Sequence, residues 1–181
     1  MIKTVIFDRH LRTLKEFKET GNSIVSGFPK LLYAFMSNTT QSVIDTGNVA
    51  RSQARDSGTF FAAAPAADVN YGIIAGTGTA AVTINDYNLQ SKIMEGTSAG
   101  QMNYSAVTST APVVAGSTCS FKFLRTLTNN SSGSITINEV GIVVKYYGTS
   151  YNVLMDRSIV TPKLVTNTNG TTIQYTFSIT V

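Results

Sequence analysis

The sequence has few of the side chains on which catalysis and metal binding depend. It contains one histidine, one cysteine and no tryptophan, and His10 lies far along the chain from Cys119. One imidazole cannot build a histidine-rich metal cluster, and a Cys/His or Ser/His/Asp site would have to recruit this single histidine. The ten Asp and Glu residues are scattered singly, which gives little support to paired carboxylates. We therefore expect a non-enzymatic protein without catalytic residues, metal or cofactor.

Charge is also scarce, and this bears on the partners that the protein can have. Charged residues make up 13% of the chain, compared with about 25% in a typical soluble domain. Such a surface resists packing against neighbours less than a heavily charged one does, which favours repeated assembly. The net charge is +4, but no dense basic stripe with interleaved aromatics is present, so nucleic acid is not an expected partner.

Long apolar runs are missing as well. No stretch approaches the roughly 18 apolar residues of a membrane helix, and the N-terminus lacks the pattern of a signal peptide. We expect a soluble protein made in a cytoplasm, with no membrane partner. A single cysteine excludes an intrachain disulfide. In a strand, Cys119 lies on the same face as Phe121 and Phe123, which predicts a buried thiol.

What the sequence does contain is a series of strand-like runs separated by Asn, Ser and Gly turns. In the last of them, Ile173, Tyr175 and Phe177 alternate with polar residues, which is typical of a half-buried strand. The spacing predicts an all-β fold, an antiparallel β-sandwich or jelly roll over residues 31–181, best defined over 71–181. The four clearest runs are Phe121–Asn129, Ser134–Tyr147, Tyr151–Asp156 and Thr171–Val181.

Residues 1–30 have a different pattern and are predicted to form an N-terminal arm. Met1–Phe7 is typical of a short strand, whereas the three-residue spacing of Leu11, Leu14 and Phe17 predicts a short helix over Arg9–Thr20. A helix of this length is marginal by itself and needs a surface to bind. That surface is either its own β-domain or a neighbouring subunit, for which these three residues form the candidate docking arm.

Glu139 is the most informative charged residue. It shares the face of a predicted strand with Ile135 and Ile137, so it either points inward or marks the place where that face becomes exposed. An inward carboxylate needs a cationic partner, because an unpaired buried charge is very costly. Arg157 or Arg125 is the predicted partner, through a bidentate contact that bridges strands.

Two further clusters allow more than one interpretation. Tyr146, Tyr147 and Tyr151 flank a Gly-Thr-Ser turn and are candidate ligand-facing aromatics, although ordinary edge packing is the favoured interpretation. Gly76-Thr77-Gly78-Thr79 invites a phosphate-binding interpretation, but it lacks the Gly-Lys-Ser/Thr ending of a P-loop. We predict an ordinary turn there.

Several loose motifs follow one another along residues 76–181. They are Gly76-Thr77-Gly78, Ile84–Leu89, Phe123–Asn130, Ile137–Ile142, Leu154–Arg157 and the strand Ile173–Val181. Their order resembles a domain of tailed-bacteriophage virion proteins. The resemblance covers roughly residues 71–181, leaves residues 1–70 outside it, and supplies no catalytic residues. It implies a β-sandwich or jelly-roll domain used in capsid decoration, head fibres or tail appendages, in several symmetric copies.

The expected function is that of an auxiliary virion component, a capsid decoration or cement protein. It would be a homo-oligomer that binds the major capsid protein or a tail or connector protein through its β-domain and N-terminal arm. Its location would be the virion, after assembly in the host cytoplasm. The alternative is a fibre or tail-appendage module that binds a receptor or glycan.

Overall fold

The computed structural model describes residues 2–19, 24–37, 40–53, 61–145 and 151–180. Over these residues the protein is an all-β antiparallel sandwich with one short helix, α1 (Gly27–Ser37). The strands are β1 (Ile2–Phe7), β2 (Thr13–Glu19), β3 (Gln41–Ile44), β4 (Ala50–Gln53), β5 (Gly72–Gly76), β6 (Asn103–Tyr104), β7 (Thr108–Ala115), β8 (Thr118–Thr128), β9 (Ile135–Lys145), β10 (Asn152–Val165) and β11 (Gly170–Thr180).

Two antiparallel sheets form the sandwich. The large sheet has the order β2-β1-β11-β8-β6, with β7 pairing with β8 beside β6. The small sheet has the order β10-β9-β5, and β3 and β4 form a separate hairpin. The four strand-like runs predicted in the last third of the sequence correspond to β8, β9, β10 and β11, so this part of the prediction is confirmed.

The main core lies between the two sheets. The large sheet contributes Ile2, Leu127 and Ile173, and the small sheet contributes Ile73 and Ile142, all of them buried. A second cluster covers the other face of the small sheet; it contains Val25, Ala64, Tyr71, Ile74, Leu89, Val107, Val143 and Leu154. Because both faces of the small sheet are buried, β9 ends in a nearly continuous apolar run rather than a strict alternation.

The helix predicted over Arg9–Thr20 is wrong, because Thr13–Glu19 is strand β2. β2 pairs with β1 along its length, and β1 pairs in turn with β11. The ladder to β1 satisfies the backbone of this segment, which a short isolated helix in water cannot achieve stably. The division into an arm, 1–30, and a β-domain, 31–181, stays a prediction, although β1 belongs to the large sheet.

The helix of the chain lies later, where the sequence showed only a mixed apolar run. Pro29 falls in the first turn of α1, a position that tolerates a residue without a backbone N–H. Leu31 and Ala34 are buried on one face of α1, as expected of an amphipathic helix. The helix packs against β3 and β10.

The N-terminal strand generates the first prediction. Ile6 is buried in the core, whereas its neighbour Val5 is only partly buried. Ile6→Ala should lower the free energy of unfolding by about 2–5 kcal/mol, and Val5→Ala by about 1 kcal/mol or less. Urea unfolding of the two variants measures both values, and equal effects would show that β1 does not contribute to the core.

Candidate functional site

Glu139 is fully buried and forms an ion pair with Arg157. The Nε atom of Arg157 donates to Glu139 Oε2 over 2.7 Å, so of the two predicted arginines Arg157 is the partner. The predicted bidentate contact is wrong, because the guanidinium divides its donors. Its Nη1 donates to Asp86 Oδ2 at 2.7 Å and its Nη2 to the carbonyl of Ala80 at 3.0 Å. We call Glu139, Arg157 and Asp86 the Glu139 cluster.

The carboxylate of Glu139 also binds the loop between β5 and β6. Oε1 accepts hydrogen bonds from Gly78 N at 3.2 Å and Ser91 N at 2.7 Å, and Oε2 accepts one from Gln90 N at 3.0 Å. The glycine-rich turn therefore does bind an anion, and the anion is a side chain of the same protein. A side chain at Gly76 or Gly78 would collide with Oε1 of Glu139, which explains why glycine occupies both positions.

The charges of the cluster support one another. Burial raises the pKa of Asp86, but the hydrogen bonds from Arg157 and Thr83 outweigh it, so the pKa lies below its ordinary value of 3.8. Burial lowers the pKa of Arg157, but its bonds to Asp86 and Glu139 outweigh that effect and raise the pKa. Two carboxylates and one guanidinium leave the cluster with a formal charge of −1.

Arg125 is not a partner of Glu139, which corrects the alternative that the sequence left open. It is buried in β8, and its guanidinium lies over the ring of Tyr104, 4.8 Å from the ring centroid. Its donors go to neutral acceptors, and burial lowers its pKa. Arg125 therefore ties neighbouring loops and β5 to the large sheet. The acceptors are the backbone carbonyls of Pro65, Asp68, Tyr71, Ile73 and Ser105.

The predicted ligand-facing aromatics have separate outcomes. Tyr146 and Tyr147 lie outside the described residues. Tyr151 is half-buried and packs against the core, and the guanidinium of Arg51 lies 5.2 Å from its ring centroid. For Tyr151 the structure shows edge packing.

The candidate docking residues do not form the predicted helical face. Leu11 lies in the turn between β1 and β2 and is 78% exposed. Leu14 lies in β2 where the register with β1 shifts, and it is 52% exposed. Phe17 is half-buried, and the Nζ of Lys163 lies 3.5 Å from its ring centroid. The predicted helical stripe is therefore absent, because Leu11 lies in a turn and Leu14 and Phe17 lie in a strand.

The feature that sequence reasoning missed is an extension of the large sheet beyond the core. We call residues 108–121 and 176–180 the overhang; they comprise β7, the beginning of β8 and the end of β11. Val114, Cys119 and Ile179 are aligned across these three strands. Val114 and Ile179 are 73% and 74% exposed, and Cys119 is exposed too. The prediction of a buried Cys119 is thus wrong, because its strand extends past the packed part of the sandwich.

The row Val114–Cys119–Ile179 lies on the same face of the sheet as the core residues. Moving inward along β8 and β11, the next pair on this face is Phe121 and Phe177, with stacked rings 5.0 Å apart. The core face of the large sheet therefore continues into solvent as an apolar surface. The alternation that predicted this face was correct, but it carries no information about where the second sheet ends.

The two edges of the large sheet differ in charge. The β2 edge carries Lys15, Glu16 and Lys18, the kind of residues with which proteins protect exposed edges. The overhang contains no charged residue, and Pro112 is the one edge-protecting residue in β7. An uncharged edge with an exposed apolar face is typical of a surface that another chain covers.

The comparisons with known proteins are negative. No protein-family model matches the chain, and no curated protein or solved structure is significantly similar to it. The resemblance to bacteriophage virion domains therefore stays a prediction. Within the described residues, no helix is long and apolar enough to cross a membrane, and no group of three or more His, Cys, Asp or Glu residues could hold a metal ion.

The Glu139 cluster generates a stability prediction. Arg157→Met leaves two carboxylates without their cation, one of them fully buried, and should lower the free energy of unfolding by about 3–5 kcal/mol. The double variant Arg157→Met/Glu139→Gln removes the buried charge as well and should be more stable than the single variant. Denaturant unfolding measures both.

The matched control for this prediction is Arg12→Met. Arg12 forms an ion pair with Asp8 at 2.7 Å, but its side chain is exposed, so the loss should be at most about 1 kcal/mol. Similar losses for Arg157→Met and Arg12→Met would contradict the role assigned to the cluster.

The lowered pKa of Asp86 predicts a pH dependence of stability. A carboxyl whose pKa is lower in the folded than in the unfolded state stabilises the fold above its ordinary pKa of 3.8. This contribution is lost as the pH falls through the lower, folded value. The difference in unfolding free energy between the native protein and Asp86→Asn should be largest near about pH 6 and smaller near about pH 3. A difference that stays constant over this range would contradict the prediction.

Proposed function

We propose that this protein is a non-enzymatic structural subunit that associates with further copies of itself, as an auxiliary component of a bacteriophage virion. The overhang is the observation that carries the proposal. It is an apolar surface, continuous with the core and flanked by an uncharged edge strand. The virion setting rests on the resemblance of residues 71–181 to virion domains.

A second copy of the chain is the occupant that the charges favour. The protein carries a net charge of +4, so two copies repel each other over most orientations. The apolar face of the overhang carries no charged side chain, and Lys122, which aligns with Thr110 and Thr176, lies on the opposite face. Two apolar faces can therefore meet without placing like charges together. Each copy also supplies the same apolar row to the other, as a two-fold interface requires.

Sheet packing provides the geometry of the contact. The apolar faces of two sheets pack about 10 Å apart, and the row Val114–Cys119–Ile179 would be buried in such a contact. Phe121 and Phe177, which are already half-buried, would lose their remaining exposure. The second copy would thereby complete the sandwich over the part of the large sheet that extends past the core.

The size of the overhang makes a pair held by this contact alone weak. Three strands of about five residues span roughly 250 Å² of sheet, which is well below the approximately 800 Å² per partner of a standard interface. A two-fold contact closes at two copies, and it becomes durable when a second contact holds both copies on the same shell. The N-terminal turn, with exposed Leu11, stays a predicted second contact, with the larger virion shell as partner.

A pair of neighbouring residues in β7 allows a matched test. Val114 lies on the apolar face, and Val113, aligned with Ser120, lies on the opposite face and is 62% exposed. Val114→Lys should prevent self-association because it buries an unpaired charge in the interface. Val113→Lys adds the same charge to the same strand and should leave association unchanged. Sedimentation over a concentration series measures the oligomeric state of both variants.

Cys119, the single cysteine of the chain, provides a second readout at the centre of the surface. Its rate of alkylation by iodoacetamide should fall as the concentration of the native protein or of Val113→Lys rises. The rate for Val114→Lys should not depend on protein concentration. A native protein that stays monomeric, with a concentration-independent alkylation rate, would overturn the proposed self-association. If imaging of intact bacteriophage particles finds none of this protein on them, only the virion setting is overturned.

A further inference from the structure

A cleft lies on the surface above the Glu139 cluster. It has a volume of about 450 Å³, which is within the range of roughly 300–1,000 Å³ usual for small-molecule sites. Its floor includes Asp86 and Arg157, and Asn85, Tyr87 and Gln90 also line it. Each of these residues comes from the loop before β6 except Arg157, which comes from β10.

The cleft presents polar atoms that make no hydrogen bond within the described part of the protein, and one of these groups, the amide of Gln90, is held in a fixed orientation. Gln90 Oε1 accepts hydrogen bonds from Thr79 N at 2.9 Å and Ala80 N at 2.8 Å, which fixes the orientation of its amide group. In the described part of the chain, the amide nitrogen of Gln90, the side-chain amide of Asn85 and the hydroxyl of Tyr87 have no protein partner. The amide nitrogen of Gln90 donates hydrogen bonds, whereas the amide group of Asn85 and the hydroxyl of Tyr87 both donate and accept them.

Two further groups complete the chemistry of the cleft. The ring of Tyr87 is exposed, with 38% of the residue accessible, and offers an apolar face beside its hydroxyl. Asp86 Oδ1 accepts a hydrogen bond from Thr83 Oγ1 at 2.8 Å, and a carboxylate oxygen has a second lone pair for another donor. The side chain of Asp86 is partly accessible.

We propose that this cleft binds a neutral saccharide of one or two rings. A sugar ring has an apolar face for Tyr87 and hydroxyl groups that can donate to Asp86 and accept from Gln90 and Asn85. The formal charge of −1 on the Glu139 cluster disfavours phosphates, sulfates and acidic sugars. The positive charge of Arg157 is already neutralised by its two carboxylate partners.

The loop that forms the cleft is organised before any ligand binds. Glu139 holds it at Gly78, Gln90 and Ser91, and the amide nitrogen of Asn88 donates to the carbonyl of Thr46 at 3.2 Å. A rigid site loses little conformational entropy on binding, which raises the affinity for a small ligand. This site does not involve the overhang, so it is independent of the proposed self-association.

Saturation-transfer NMR and calorimetry on the full chain test the proposal. The probes are glucose, galactose, mannose, N-acetylglucosamine, maltose and lactose, with glucuronate and N-acetylneuraminate as anionic comparisons. We expect binding of at least one neutral sugar and no tighter binding of either acid. Binding of no neutral sugar, or a preference for the acids, would overturn the assignment.

Substitutions locate the binding. Tyr87→Ala should weaken the affinity for the bound sugar at least tenfold, and Asn85→Ala should weaken it to a smaller extent. Ile84→Ala is the control, because Ile84 is 60% exposed on the same loop but does not line the cleft. These side chains are exposed enough that the variants should keep the native urea midpoint. Equal affinities of Tyr87→Ala, Ile84→Ala and the native protein would place the sugar elsewhere and refute the site.

Discussion

The hydrogen bonds of the buried Glu139 carboxylate are the interaction on which the loop between β5 and β6 depends. One side chain of β9 accepts four hydrogen bonds, three from the backbone of a single loop and one from Arg157. Taking a carboxylate out of water is costly, and the cost is offset only because nearly all of its acceptor capacity is used. The interaction replaces regular secondary structure, since the loop has no strand or helix of its own. The cleft on that loop exists because a charge on the sheet beneath it fixes the backbone.

Arg125 plays the complementary part with the opposite charge. It supplies donors to five carbonyl groups, whereas Glu139 supplies acceptors to amide groups. Buried loops leave unpaired backbone groups of both kinds, and each kind needs a partner. This protein uses one long charged side chain for each. Glu139 and Arg125 are buried ionisable residues of the kind found in active sites, but here both stabilise irregular backbone.

The sequence predicted the sandwich better than it predicted the surfaces. Alternation along β11 assigned the inward face correctly because a period of two depends only on local burial. The same alternation placed Cys119 in the core, since it cannot indicate where the opposing sheet stops. The cost of a buried charge predicted a cationic partner for Glu139, but it did not decide between Arg157 and Arg125. The bonds of Glu139 to the glycine-rich loop were not predictable, because they join residues far apart in the sequence.

The N-terminal segment was mispredicted for a related reason. The spacing of Leu11, Leu14 and Phe17 is compatible with a helix, and nothing local shows that β1 offers an open edge for pairing. Strand β2 forms because of that edge, which itself depends on β11. Tertiary context thus decided a secondary structure for which local preference was weak.

The pairing of β1 with β11 also constrains how the chain acquires its structure. Ile2 lies opposite Tyr175, so almost the whole described chain separates two strands that are neighbours in the large sheet. Closing so long a loop costs conformational entropy before the strand contacts can form and offset it. Folds dominated by such pairings therefore reach the native state slowly. During synthesis on the ribosome, the β1–β2 hairpin emerges before β11 has been made. Throughout that interval its apolar face is unprotected, so a chaperone would benefit this fold more than one built from local contacts.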